Sequence, residues 1–216
     1  MGVRGDASSP CRGNRRADSD FKRPGLPFVV PSFRIADTLA AYPIGSHTAF
    51  PQRRSNDMTI QIGERIPEVN IKHINGGVDT IDTHAFFEGK KIVLFSVPGA
   101  FTPTCSEKHL PGYIALFDAF RDKGVGVACM SVNDPFVMKA WAASQNAPAE
   151  MEILADGNGD FAKALGLEMD ASAYGMGIRS KRFAMFIDNG VVKQLEVEAP
   201  GEFRVSTAEH MLTLVD

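Results

Sequence analysis

Cys105 lies in the stretch Val97-Pro98-Gly99-Ala100-Phe101-Thr102-Pro103-Thr104-Cys105-Ser106-Glu107-Lys108-His109-Leu110-Pro111-Gly112-Tyr113. The stretch leaves an apolar run and enters a helical pattern. Its helix start can be read in two ways. Thr102 caps it with Pro103 in the first position, or Thr104 and Glu107 form a Ser/Thr-x-x-Glu capping box. Both place Cys105 in the first turn, where unpaired backbone N–H groups and the positive end of the helix dipole favour an anion. The thiolate is the nucleophilic form of cysteine, so this position makes Cys105 reactive.

His109 follows four residues later and can face the same way. A Cys–His pair also suits an acyl hydrolase or half of a metal site. One Cys and one His do not hold a metal, and no other Cys or His is suitably spaced. His109 is therefore expected to make a supporting or subunit contact. Cys129 stands inside an apolar run, where cysteine packs as a small hydrophobe. Cys11 could meet Cys105 only if the N-terminal segment folds back.

The elements that must position Cys105 begin at Met58. Lys91 to Val97 is a continuous apolar run, as expected of a strand buried on both faces. A helix is expected from about Thr104 to Arg121, with Ile114, Phe117 and Phe120 on one side and Pro111 interrupting it. Val125 to Val132 is a second buried strand. Asp134-Pro135 opens a helix whose apolar face is Val137, Ala140 and Trp141. Ile153 to Ala155 is a short strand, and Asp160 starts a helix ending at Gly166. Lys181–Asp188 and Val191–Glu198 flank Asn189-Gly190, a strong hairpin signal. A last helix starts near Thr207. The order β-α-β-α-β-α-β-β-α predicts an α/β fold with a central mixed sheet and flanking helices, parallel in its middle and closed by an antiparallel edge hairpin, and the thioredoxin-like architecture fits that order. Core packing is expected of Trp141 and, by default, of Phe101 and Phe117, whose alternative is to line the pocket or a subunit contact; a solvated turn is expected of Lys90-Lys91.

The chain has 216 residues, is 44% hydrophobic and carries a net charge of −3. Those values fit one domain with a tail and give no general sign of nucleic-acid binding. No stretch approaches the roughly 18 consecutive apolar residues of a membrane helix. Three scattered cysteines suit a reducing compartment rather than a disulfide framework. Charge is divided unevenly, with a net of +4 over residues 1–57 and −7 over residues 58–216. Six prolines break every candidate element in residues 1–57, which are expected to be a disordered N-terminal extension. Three readings of that extension stand open: a solvated tail, a targeting peptide, or an upstream extension from a start codon placed too early. Its five aspartates oppose the targeting reading. Residues 58–216 are the expected folded domain.

Pro98-x-x-x-Thr102-x-x-Cys105 is the active-site signature of the peroxiredoxins. The longer string Pro-Gly-Ala-Phe-Thr-Pro-Thr-Cys, followed by His-Leu-Pro-Gly, resembles their type-five subfamily, called type II in plants. The similarity runs from about Met58 to the C-terminus and includes Ser131-Val132-Asn133-Asp134 and Lys181-Arg182-Phe183. The resemblance implies the following roles. Cys105 is the peroxidatic cysteine and passes through a sulfenic acid. Thr102 hydrogen-bonds the thiolate and the peroxide. Pro98 shields the site from water. Arg182, on the first strand of the hairpin, directs its guanidinium at the sulfur. Sequence alone does not bring Arg182 to Cys105; the resemblance does.

Many type-five relatives resolve the sulfenic acid with a second cysteine after the last strand. Here that loop reads Gly201-Glu202-Phe203-Arg204-Val205-Ser206-Thr207, and Ser206 stands about where the cysteine would fall. A one-cysteine cycle follows, with no bound cofactor and with glutathione as reducing co-substrate, aided by glutaredoxin. The expected substrates are hydrogen peroxide and small alkyl hydroperoxides. The expected assembly is a homodimer in the cytoplasm, or in the mitochondrion if residues 1–57 are a transit peptide. A thioredoxin-dependent peroxidase, a peroxide-sensing relay and, more remotely, a Cys–His hydrolase are the alternatives.

Overall fold

The structure is a computed structural model and describes residues 59–215. The readings made for residues 1–57, for Cys11 and for a start at Met58 lie outside the described residues.

The first elements were not anticipated. Strands β1 (Asn70–Asn75) and β2 (Gly77–Asp82) form a hairpin, followed by the short helix α1 (Thr83–Phe87). Only Ile71 and His73 of β1 are buried, and β2 is almost wholly exposed, so neither strand carries an apolar run. The turn depends on Gly76 at φ +68°, a conformation open to glycine. Asp82 caps α1, its carboxylate accepting the Ala85 N–H at 2.8 Å.

The predicted centre follows. Strands β3 (Lys91–Val97), β4 (Gly126–Ser131) and β5 (Glu152–Ala155) run parallel, with β4 between its neighbours. Their side chains alternate between two cores. Val93, Phe95 and Val97 face one core with Cys105, while Ile92 and Leu94 face the other. Truncating Phe95, which has no exposed surface, would cost about 3–5 kcal/mol.

The single helix expected from Thr104 to Arg121 is broken in three. The chain turns helical at Pro103 and is π-helical over Cys105–His109. It then continues as α2 (Leu110–Ala115), bends at Leu116 (φ −102°, ψ 10°) and resumes as α3 (Phe117–Asp122). Pro111 supplies the cause. It has no N–H to give an acceptor one turn back, and the Leu110 N–H bonds to the Cys105 carbonyl five residues behind instead of four.

Helix α4 (Pro135–Ser144) starts as expected, with the Asp134 carboxylate accepting from Phe136 and Val137. Its buried face is Met138 and Trp141. Ala140 is exposed and Val137 half-buried, a rotation from the face read in the sequence. Helix α5 (Asp160–Ala164) precedes Gly166 at φ +67°. A small antiparallel pair, β6 (Glu168–Asp170) and β7 (Ile178–Ser180), is a further unanticipated insertion. Strands β8 (Phe183–Asp188) and β9 (Val191–Val197) form the predicted hairpin, with Asn189 and Gly190 both at positive φ. Helix α6 (Ala208–Leu214) closes the described chain under a Thr207 cap.

The main sheet has the order β2-β1-β5-β4-β3-β8-β9. It is parallel in the middle, as expected, but carries an antiparallel hairpin at each edge rather than at one. Helices on both faces complete the thioredoxin-like α/β architecture.

Candidate active site

Cys105 is placed by the end of β3. The loop from Pro98 to Thr102 is fixed by Asn133, whose side-chain oxygen accepts the Ala100 N–H at 3.0 Å and the Ser131 hydroxyl at 2.9 Å. Phe101 adopts φ +62°, unusual for a residue with a side chain, and is 56% exposed. The expectation that Phe101 packs in the core is thus corrected: the left-handed bend aims it outward.

Of the two helix starts, the structure adopts the one with Thr102 at the cap and Pro103 first. The Ser106 N–H bonds to the Thr102 carbonyl at 3.0 Å. The Thr104–Glu107 capping box does not form, because Thr104 is already helical (φ −59°, ψ −35°) and its side chain makes no cap bond. The Thr102 hydroxyl donates to the Gly99 carbonyl at 2.9 Å, so its proton points at the loop while its lone pairs remain free. Pro98 and Thr102 are both half-buried.

Cys105 has no exposed surface. Arg182 reaches it from across the sheet: Nη2 donates to Sγ at 3.5 Å. Strand β8 starts at Phe183, so Arg182 precedes the strand on which the sequence reading placed it. Phe183 faces one core, while Ala184 faces the core that holds Cys105. Alternation therefore sends Arg182 to the Cys105 side. Pairing of Ser96 with Phe183 sets Arg182 beside the end of β3.

His109 is a residue whose role the sequence left general. It is buried, and its ring links two groups that are remote in the chain. Nε2 lies 3.0 Å from the Ser206 carbonyl, and Nδ1 lies 3.0 Å from Arg182 Nη1. A carbonyl can only accept, so Nε2 carries the hydrogen and Nδ1 accepts from the guanidinium. Burial first, and the Arg182 charge second, push the His109 pKa from 6.5 down to about 3, against a raising effect from the Ser206 bond. The ring is neutral at ordinary pH, which its acceptor role requires.

The Tyr113 hydroxyl also donates to the Ser206 carbonyl at 3.0 Å, and its ring stacks on Phe95 at 4.0 Å. Phe203 packs on the His109 ring and lies beneath the Arg182 guanidinium, 5.6 Å from its centre. On the other side of Cys105, Trp141 Nε1–H donates to Ser106 Oγ at 3.0 Å. Trp141 and Phe117 are core residues, as expected. Cys129 packs in the same core as Cys105; burial, then proximity to Cys105, raise its pKa, which keeps it a thiol. No cluster of three or more His, Cys, Asp or Glu suited to a metal occurs among the described residues.

The Redoxin family profile matches residues 61–212. Peroxiredoxin-2C of Arabidopsis thaliana is 45% identical over 156 residues, which span 71% of this chain and 96% of that protein. The crystal structure of reduced Prx3 from Vibrio vulnificus, in complex with hydrogen peroxide, superposes with a TM-score of 0.70 at 52% identity. It covers 73% of this chain and 100% of its own. Peroxiredoxin 5 from Alvinella pompejana gives a TM-score of 0.64 at 36% identity, covering 72% and 97%. With an α/β thioredoxin-like fold and kinship to both plant type II and type-five proteins, the chain belongs to the peroxiredoxin family of peroxidases.

Proposed function

We propose that Cys105 is the peroxidatic cysteine and that the chain reduces hydrogen peroxide and small alkyl hydroperoxides at the expense of glutathione. The observation that carries the reading is the Arg182 guanidinium, held by His109 with one N–H aimed at Sγ over 3.5 Å. A cation there favours the thiolate, and it stabilises charge as it moves onto the leaving oxygen.

The Cys105 thiolate attacks one peroxide oxygen. An S–O bond forms, the O–O bond breaks, and the departing oxygen takes a proton to leave as water or alcohol. Sulfur is oxidised by two electrons to the sulfenic acid. The free lone pairs on the Thr102 hydroxyl can receive a hydrogen bond from the peroxide's O–H, and Pro98 covers the site against water. Glutathione thiolate then displaces hydroxide from sulfur as water, giving a mixed disulfide. A second glutathione releases Cys105 and glutathione disulfide; where glutaredoxin attacks, it takes the glutathione as its own mixed disulfide, from which a second glutathione then forms glutathione disulfide. Two facts support an external reductant. Ser206 occupies the loop position considered for a resolving cysteine, and Cys129 is locked in the core as a thiol. Because Sγ is buried, a reductant as large as glutathione reaches it only when the first helical turn shifts.

The chain acts as a homodimer on this reading. Phe101, Phe136, Tyr174 and Ile178 are all more than half exposed and offer apolar surface for a second copy. On the same reading the chain works in a reducing compartment, the cytoplasm, where an unpaired catalytic thiol persists. No described helix is long and apolar enough to cross a membrane.

The test is peroxide-dependent oxidation of glutathione by the pure protein, with and without glutaredoxin, beside a thioredoxin system and a Cys105→Ser control. Turnover with glutathione that disappears in Cys105→Ser is expected. Undiminished turnover in that variant would remove Cys105 from the chemistry, and turnover with thioredoxin alone would replace the reductant.

A further inference from the structure

Glu198 follows β9 and is 8% exposed. One carboxylate oxygen, Oε1, accepts three bonds from the loop that follows: the Arg204 N–H at 2.7 Å, the Ser206 N–H at 2.8 Å and the Ser206 hydroxyl at 2.9 Å. The Glu198 N–H donates to the Arg182 carbonyl at 3.0 Å. One residue therefore grips both the backbone of Arg182 and the loop that supports the Arg182 side chain.

That loop has two contacts with the site. The Ser206 carbonyl accepts from His109 Nε2, and the Phe203 ring packs on His109 and under Arg182. From the Ser206 carbonyl the chain of donors and acceptors runs through His109 to Arg182 and ends at Cys105 Sγ. A loop of eight residues between Glu198 and Thr207 has no ladder to hold it. The Glu198 carboxylate gathers its far end together with the bonds that Tyr113 and His109 make to the Ser206 carbonyl.

We propose that Glu198 is a positioning residue for the peroxidase reaction: its Oε1 sets the Ser206 carbonyl and the Phe203 ring, and through His109 sets the direction in which Arg182 faces Cys105. Glu198 touches neither sulfur nor peroxide. Its side chain is built for this acceptor role. Burial raises the pKa, but the bonds from the Ser206 and Arg204 N–H groups and the Ser206 hydroxyl outweigh burial and lower it. The second oxygen, Oε2, is buried without a hydrogen-bond partner among the described residues, so the three bonds to Oε1 are the ones that matter. An amide in place of the carboxylate keeps an acceptor oxygen where Oε1 stands. A shorter carboxylate keeps the charge but withdraws the oxygen.

The inference rests on the reading of Cys105 and Arg182 given above, and the test separates the two. In the full-length protein, the rate constant for Cys105 oxidation by hydrogen peroxide is measured by trapping free thiol and weighing the intact chain. The rate of Cys105 alkylation by iodoacetamide is measured against pH, and stability is measured in urea. Glu198→Ala and Glu198→Asp should each slow oxidation about tenfold per folded molecule and move the alkylation profile to higher pH, since about 1.4 kcal/mol of lost stabilisation corresponds to tenfold. Glu198→Gln should stay within about threefold of wild type, roughly 0.6 kcal/mol, because its amide oxygen still accepts where Oε1 stood. A purely structural role would lower stability and leave both per-molecule rates unchanged; that result in Glu198→Asp, which keeps the charge, overturns the proposal. A loss in Glu198→Gln equal to that in Glu198→Ala also overturns it, because charge rather than acceptor placement would then be at work. Failure of the wild-type chain to be oxidised at Cys105 removes the underlying reading instead, and the positioning role with it.

Discussion

Replacing His109 with glutamine tests the neutral ring on which Arg182 leans. In the folded chain the ring's pKa is lowered to about 3, whereas in the unfolded chain it returns to the ordinary value near 6.5. Between those values the unfolded state binds the proton and the folded state does not. Stability therefore rises with pH across the window: the His109 contribution is complete above pH 6.5 and is lost as pH falls toward 3. Each pH unit inside the window is worth up to about 1.4 kcal/mol, so going from pH 7 to pH 5 should cost the wild type about 2 kcal/mol through this ring alone. Glutamine cannot titrate and keeps one donor and one acceptor. The assay is urea unfolding of wild type and His109→Gln at pH 7, 6.5, 6, 5.5 and 5, compared as the difference between the two chains at each pH. That difference should shrink by about 2 kcal/mol as pH falls, because only the wild type carries the penalty. A difference that stays flat within about 0.5 kcal/mol would show that the ring can take a proton in place, and the acceptor role assigned to Nδ1 would be wrong.

Asp156 should supply the opposite slope. It is buried, and burial raises its pKa from 3.8 to about 6 in spite of the N–H bonds from Ala162 and Phe161. Here the folded state holds the proton longer, so stability falls as pH rises from 4 to 6; in Asp156→Asn that fall, about 2 kcal/mol in the wild type, should vanish from urea curves. Arg182→Lys should slow peroxide oxidation of Cys105 by about 10- to 100-fold in stopped-flow measurements. A single ammonium cannot donate to His109 and to Sγ as the guanidinium fork does, and a charge-assisted bond is worth about 1.5–3 kcal/mol. Wild-type rates in Arg182→Lys would show that charge near the sulfur suffices without the fork.

The middle of the fold was legible because it is buried on both faces. Lys91–Val97 and Gly126–Ser131 appear in the sequence as apolar runs since both of their sides meet a core. Asn189-Gly190 announced its hairpin because positive φ at two successive positions demands those residue types. The outer hairpin of β1 and β2 was silent for the converse reason: an edge strand with one wet face needs few apolar residues. The three-residue strands β6 and β7 are too short to show any period. The break at Pro111 was visible, but its form was not. Whether a proline kinks a helix, ends it or is absorbed by a π-turn depends on which carbonyl the neighbouring N–H can reach.

The same contrast holds within the site. Cys105 could be found locally, because its context is a strand end followed by a helix start. Arg182, His109 and Ser206 meet only through the sheet. Arg182 and Cys105 are 77 residues apart, and His109 and Ser206 are 97 apart. Local pattern carries no information about such distances. What could have hinted at the His109 contact is its place in the turn after Cys105, combined with the alternation that sends Arg182 to the same core.

That alternation also says where the site is most easily lost. Arg182 reaches Cys105 only because Ser96 pairs with Phe183 and Phe183 turns to the opposite core. A shift of one residue between β3 and β8 would turn Arg182 away from the sulfur and drive Phe183 into its place. Two groups of contacts oppose that shift. The buried Ser96 and Ser180 hydroxyls bond at 2.7 Å, and Ser180 also donates to the Val97 carbonyl, fixing the chain just before Arg182. Phe183, Met185 and Ile187 fill one core while Ala184 and Phe186 fill the other, so a slip would bury large side chains where small ones fit. The position of the Arg182 guanidinium is thus a consequence of sheet register. Residues remote from Cys105 hold the Arg182 backbone there, and the Glu198-gathered loop bears on the final orientation of the side chain.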